Sequence, residues 1–365
     1  MQRILTLVLA ILPMIASATD FSRLDSILEA RYPDPTEPGA AVLIAKGDSI
    51  LYERYFGIAD MAANQPVGPA TRFCIASISK QFTVMALLQQ AAADNAAVPL
   101  LDRAVSDFFD YPQPFWHDIA LRHLASHTSG IPDSRPRDNR DWCVHADEEQ
   151  SVQYLPSVKA PTFGPGEYYD YLNPSFILLA KVVGKTSGMD FYDYVRANIF
   201  DAAGMDSTYY FDRDAAGPGQ SHGYIPDGTE WRKYDYGEET FYATRPDGGI
   251  YSTARDLLRW ENALRDGRIV TPAWLRQAYT PAVSVTDSPF CDYQRRPDTW
   301  YGLGLFIEHP ASKPVKVYHT GDNGGYQAYL AKYPAQDIKI IVLENRNDRS
   351  RDLLMAQIDE ILGLR

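Results

Sequence analysis

The sequence predicts an α/β (α+β) fold: one antiparallel sheet flanked by N- and C-terminal helices, with an all-helical region inserted between two groups of strands. Three observations carry this. A strand pair stands near the start and four strand-like runs stand near the end. The long stretch between them has helical segments, prolines and aromatics but no alternating pattern of any length. With 365 residues, 45% of them hydrophobic, the chain can bury roughly three quarters of its unfolded surface, enough for one large or two interleaved domains.

Each element follows from local chemistry. From Phe21 to Tyr32, Leu24, Ile27 and Leu28 recur at helical spacing, and Pro33 and Pro35 end the run. Gly39 to Asp60 reads as a hairpin, with strands Ala40 to Ala45 and Ser49 to Phe56 about a turn at Lys46-Gly47-Asp48. Between Ser77 and about Ala93, the residues Ile78, Phe82, Met85 and Leu88 mark a helix with Ser77 at its positive end. Strands return at Tyr301 to His309, Val315 to His319, Tyr326 to Tyr333 and Ile338 to Leu343, before a final helix from about Arg351 to Leu362. The α/β part is therefore expected over about 19–76 and 241–365, and the helical part over about 77–240. The cleft between them is the expected place for a substrate.

Residues 1–18 read as a signal peptide: Arg3 is their only charge, an apolar run follows from Ile4 to Ile15, and Ala16-Ser17-Ala18 is a small-residue cleavage site. The run is short for a bilayer span, so the expectation is an exported protein, periplasmic or secreted, without a stable membrane anchor once the signal is removed. A formal net charge of −12 leaves no basic patch for nucleic acid or anionic lipid. Of the three cysteines, Cys74 lies beside the candidate nucleophile described next. Cys143 and Cys291 can pair in an oxidising compartment but need not, and oligomeric state is left open.

Ser77 is the only serine with a lysine three residues later, in Phe73-Cys74-Ile75-Ala76-Ser77-Ile78-Ser79-Lys80. On a helix that spacing puts both side chains on one face, so the Lys80 amine can serve the Ser77 hydroxyl as a base. Standing alone, the commoner origin of such a pair is an N-cap serine followed by a solvated lysine. A lysine base also needs its proton affinity lowered by burial or nearby positive charge. Tyr171-Leu172-Asn173 is the only Tyr-x-Asn in the chain. Its phenol can pass protons among serine, leaving group and water, and Asn173 can hold the lysine and a substrate carbonyl. His319-Thr320-Gly321-Asp322 ends a predicted strand. There Gly321 admits close backbone approach, and the N–H just after it can complete an oxyanion hole with that of Ser77. His319 would face the leaving-group side or a substrate carboxylate.

In this order and company, Ser-x-x-Lys, Tyr-x-Asn and His-Thr-Gly resemble the serine penicillin-recognising enzymes: class C type β-lactamases, low-molecular-mass D,D-peptidases and related esterases. Two further stretches are similar to that family, Leu121-Arg122-His123-Leu124-Ala125-Ser126-His127-Thr128-Ser129-Gly130 and the run from Gly248 to Leu257. The resemblance spans essentially the whole chain after the signal. It implies a β-lactamase/transpeptidase-like fold over 19–365 and a covalent acyl-enzyme that needs no cofactor. Ser77 would be the nucleophile, Lys80 its base or relay, and Tyr171 the general base that also serves deacylation. Asn173 would position the substrate amide, and His319, Thr320, Gly321 and Asp322 would line the far wall. The implied partner is a small-molecule or peptide substrate: a β-lactam, a D-amino-acid peptide or an ester. Class C β-lactamases usually carry lysine where His319 stands, and a neutral imidazole binds a carboxylate less firmly, which weighs against efficient β-lactam hydrolysis.

Other readings are weaker on the residues. His123 and His127 stand at i, i+4, a zinc spacing, but lack the glutamate of His-Glu-x-x-His. The sequence contains neither Gly-x-Ser-x-Gly nor Gly-x-x-x-x-Gly-Lys. An esterase or D-amino-acid peptidase or amidase shares the chemistry and differs in pocket shape. A non-catalytic peptidoglycan- or peptide-binding protein has no need of a nucleophile with two proton carriers.

Overall fold

The computed structural model describes residues 20–134, 148–212, 219–235, 244–291, 297–309, 315–348 and 350–364. The expected signal and the pairing partner Cys143 lie outside them. The large sheet is antiparallel and eight-stranded. Its strands are β1 (Ala40–Lys46), β2 (Ser49–Phe56), β3 (Val283–Ser284), β4 (Thr299–Tyr301), β5 (Phe306–Glu308), β6 (Lys316–Asn323), β7 (Tyr326–Tyr333) and β8 (Ile338–Glu344). They run in the spatial order β3-β4-β5-β6-β7-β8-β1-β2, so the N-terminal hairpin completes the sheet along the free side of β8.

Period-2 geometry explains why β1 and β8 are apolar throughout rather than alternating. Ala41, Leu43, Ile341 and Leu343 enter one buried cluster, with the helical region. Their neighbours Ala40, Val42, Ile340 and Val342 enter another. That second cluster is closed by Leu24 and Leu28 of helix α1 (Ser22–Arg31) and by Leu354, Met355 and Ile358 of the C-terminal helix Arg351–Ile361. The two terminal helices therefore cover one face of the sheet, as the sequence predicts.

On the other face lies α2 (Ser79–Ala93), buried from Ser79 through Leu88. A helix apolar on all sides belongs inside a core. Phe82 stacks on Trp260 at 4.3 Å, tying α2 to the helix Ala254–Arg265.

Three expectations change in detail. The predicted helix start at Ser77 is a 3-10 turn, Ala76–Ile78, with α-helix only from Ser79. The predicted strand from Tyr301 to His309 is broken into β4 and β5. Between them the chain dips onto α2: a side chain at Gly302 would meet the Ala278 carbonyl at 2.3 Å, and one at Gly304 (φ +75°) would meet Val84 at 2.7 Å. Nor is the middle wholly helical. Tyr224–Asp227 pairs with Glu230–Lys233, and Tyr209–Tyr210 joins Phe73–Cys74 and Ile250–Ser252 in a small three-stranded sheet. These strands have two to four residues, too few to show a period.

Among the described residues, no helix is long and apolar enough to cross a membrane.

Candidate active site

Ser77 occupies the 3-10 turn between Phe73–Cys74 and α2. The turn is held from several sides. The Ile75 N–H donates to the Ile250 carbonyl at 2.9 Å, and Ile250 N–H donates to Ser79 Oγ at 3.1 Å. Ala76 has φ +45°, a left-handed conformation that costs a non-glycine residue roughly 1–2 kcal/mol. Beneath it, a Cβ at Gly321 of β6 would lie 2.1 Å from the Ile75 carbonyl oxygen. The close backbone approach expected at this glycine is made by the turn that carries Ser77.

The two expected proton carriers meet the serine hydroxyl directly. Lys80 Nζ donates to Ser77 Oγ at 3.0 Å, and the Tyr171 hydroxyl donates to the same oxygen at 2.7 Å. Lys80 is completely buried, whereas Ser77 and Tyr171 are partly exposed. Its ammonium is further held by the Asp247 carbonyl at 2.8 Å, with the Asp247 carboxylate 4.0 Å away, and it lies over the rings of Tyr171 (4.8 Å) and Phe176 (5.4 Å). Solvent therefore reaches the serine and the phenol while the lysine is sealed beneath them.

Tyr171 is set by the loop before a helix at Pro174–Ser187. Pro174 opens that helix and left-handed Gly188 ends it. Asn173, 8% exposed, stands at the position before Pro174 without capping the helix with its side chain.

His319 is buried and does not face outward. Its Nε2 accepts from the Tyr301 hydroxyl at 3.0 Å and its Nδ1–H donates to the Thr320 carbonyl at 2.6 Å. Burial first, then the Lys80 charge, push it down to about 3. Both ring nitrogens of His319 are thus engaged by internal hydrogen bonds. Thr320 is buried, and the Asp322 carboxylate accepts from Arg351 Nη1 at 2.9 Å and Gln327 Nε2 at 3.0 Å. Strand β5 pairs with β6 only from Lys316 to Tyr318.

Of two further residues at the site, Asp247 carries no signal in the sequence and His127 stands out there only as half of a possible zinc pair. Asp247 sits one residue before the Gly248 to Leu257 run, in a short capped helix, Arg245–Gly248. His127 follows the helix Leu121–Ala125 and packs its ring against Tyr171 at 4.2 Å. His123 and His127 do not converge as a zinc pair: His123 Nδ1 accepts from the Ala120 N–H and His127 Nδ1 from the Leu172 N–H. No group of three potential metal ligands gathers among the described residues.

The arrangement offers a solvent-reachable hydroxyl flanked by an amine and a phenol. Together these can take up its proton and return it to a departing group.

Residues 24–362 match the family model described as Beta-lactamase. The chain is 28% identical over 320 residues to penicillin-binding protein 4* of Bacillus subtilis, covering 84% of this chain and 68% of that protein. It is 25% identical over 367 residues to a D-aminopeptidase of Brucella ovis, covering 94% of this chain but only 63% of that enzyme's length. Among solved structures, the octameric penicillin-binding protein homologue from Pyrococcus abyssi aligns with a TM-score of 0.80 at 25% identity, covering 94% of this chain and 78% of that one. The penicillin-binding protein from Bacillus halodurans aligns at 0.74 and 28% identity, covering 92% and 98%.

Proposed function

The chain belongs to the Beta-lactamase family, and from that premise we propose that it is an exported serine hydrolase that cleaves amide or ester bonds through an acyl-enzyme on Ser77. The observation that carries this reading is the pair of proton carriers on one hydroxyl, Lys80 at 3.0 Å and Tyr171 at 2.7 Å. In its deprotonated form either group accepts the Ser77 hydroxyl proton as the oxygen attacks the carbonyl carbon. The oxyanion would be held by the N–H of Ser77 and by the N–H after Gly321. Collapse expels the leaving group with a proton returned through Tyr171, the exposed carrier of the two. Water then attacks the acyl carbonyl, giving up its proton along the same route and releasing Ser77. Asn173 and β6 from His319 onward are the proposed seat of the substrate backbone.

Of the substrate classes, β-lactams and D-Ala-D-Ala peptides present a carboxylate near the scissile bond. A neutral His319 with both nitrogens engaged places no cation on that wall. This favours the second reading, an esterase or a D-amino-acid peptidase or amidase, and the D-aminopeptidase relatives support it.

The test is a panel of nitrocefin, a D-Ala-D-Ala peptide and a p-nitrophenyl ester, with Ser77→Ala as control and mass spectrometry for an acyl adduct on Ser77. Lys80→Ala and Tyr171→Phe are each expected to lower turnover about 10²–10⁴-fold. Turnover that survives Ser77→Ala would overturn the assignment, and an intact Tyr171→Phe would remove the phenol from the relay.

A further inference from the structure

We infer that His127 is the positioning residue for Tyr171, holding the phenol on Ser77 by gripping the backbone on both sides of it; the inference rests on Tyr171 being the proton carrier. The His127 carbonyl accepts the Asp170 N–H at 2.8 Å, and its Nδ1 accepts the Leu172 N–H at 3.0 Å. The residues immediately before and after Tyr171 thus hang on one residue. The imidazole also packs on the phenol, with ring centroids 4.2 Å apart and planes 34° apart. Phe176 at 5.1 Å and Tyr301 at 5.0 Å close its other sides, so the ring has no alternative seat.

The backbone is arranged for this double grip. His127 has φ +57°, a conformation that asparagine and histidine tolerate better than most side chains. The turn is anchored by Thr128 N–H on the His123 carbonyl at 2.8 Å. Because Nδ1 accepts, the ring proton sits on Nε2. Nε2 is buried and has no hydrogen-bond partner among the described residues. An unpaired buried N–H is costly, and an apolar residue would fill the same space without it, so packing alone does not account for a histidine here. What the apolar residue lacks is the acceptor for Leu172. The imidazole supplies that acceptor only in its neutral form, and burial, then Lys80 and His319, hold the ring well below its ordinary range.

The test uses the p-nitrophenyl ester, with kcat and KM measured separately. In His127→Asn, the side-chain oxygen stands where Nδ1 stood and the left-handed backbone is tolerated, so kcat should stay within about 5-fold of wild type. His127→Leu should lower kcat about 10²-fold with little change in KM, as expected when a catalytic group is misplaced. In a Tyr171→Phe background, His127→Leu should cost nothing further, because it acts through the missing phenol. His127→Gln, which moves its acceptor one bond outward, takes the place of leucine should that variant not fold. A His127→Leu kcat close to wild type overturns the inference. So does a loss that persists undiminished in Tyr171→Phe, since this marks a structural role. A Tyr171→Phe enzyme as fast as wild type is a different result: it removes Tyr171 from the relay itself.

Discussion

At the scale of single residues, the site separates two histidines by what their nitrogens do. His127 offers an acceptor to the Tyr171 loop, and His319 is locked between Tyr301 and its own neighbour's carbonyl. A histidine whose folded value lies below its unfolded one binds its proton more readily when unfolded. Its penalty is absent above about pH 6.5 and grows as pH falls toward the folded value. For His319, held at about 3, the linkage relation gives a loss of about 2 kcal/mol between pH 7 and pH 5. His127 adds in the same direction. Urea unfolding at both pH values is expected to show this fall, and His319→Gln should flatten it by about the His319 share. Parallel curves for wild type and variant would show that His319 protonates in the folded state.

At the scale of elements, the site depends on how β6 meets the Ser77 turn. With the Ile75 carbonyl 2.1 Å from where a Cβ would sit, Gly321→Ala must push the turn off the strand. The neighbouring elements cannot absorb this, because Ile75 is tied to the strand Ile250–Ser252 and Ser79 to Ile250. The expected result is loss of about 10²-fold or more in ester turnover, in line with displacement of a nucleophile by about 1 Å. It should come with a lower unfolding midpoint. A Gly321→Ala enzyme with full kcat would mean that the turn and the strand move independently. The same packing explains the broken strand before it, where the chain between β4 and β5 leaves the sheet to donate the Gly304 N–H to the Ala125 carbonyl.

At the scale of the whole molecule, one sheet serves two cores, and the site lies against the helical one. Arg351, the first residue of the C-terminal helix, donates to the Gly321 carbonyl at 3.0 Å and to Asp322 at 2.9 Å. The terminal-helix face is thereby linked to the strand beneath Ser77. Ile358→Ala, a truncation within the buried cluster of that face, is expected to cost about 2–5 kcal/mol. Because β1 and β8 are shared by both cores, urea midpoints followed by far-UV circular dichroism and by ester turnover should fall together. Separation of the two midpoints would show that the faces unfold independently.

The sequence by itself determined the large sheet, its two flanking helices and the three motifs, because these depend on local signals: apolar periodicity, proline and glycine punctuation, and fixed spacings. Tyr326–Tyr333 runs between the residues predicted, and β2 likewise. Ser77, Lys80 and Tyr171 were legible as residue types whose chemistry is complementary, and the fold brings the latter two to the Ser77 oxygen. What only the tertiary structure decided concerns groups whose role depends on who stands opposite. Asp247 contributes a backbone carbonyl, which no side-chain pattern announces. The i, i+4 spacing of His123 and His127 suggests a shared ligand, yet each imidazole turns to a different backbone N–H. Gly321 and His319 belong to a legible motif, but packing made the first a seat for the Ser77 turn and the second a neutral, internally bonded ring. Spacing along the chain constrains which side chains share an element. Contacts between distant segments, made when the helical region folds onto the sheet, settle which nitrogen, carbonyl or hydroxyl each of them meets.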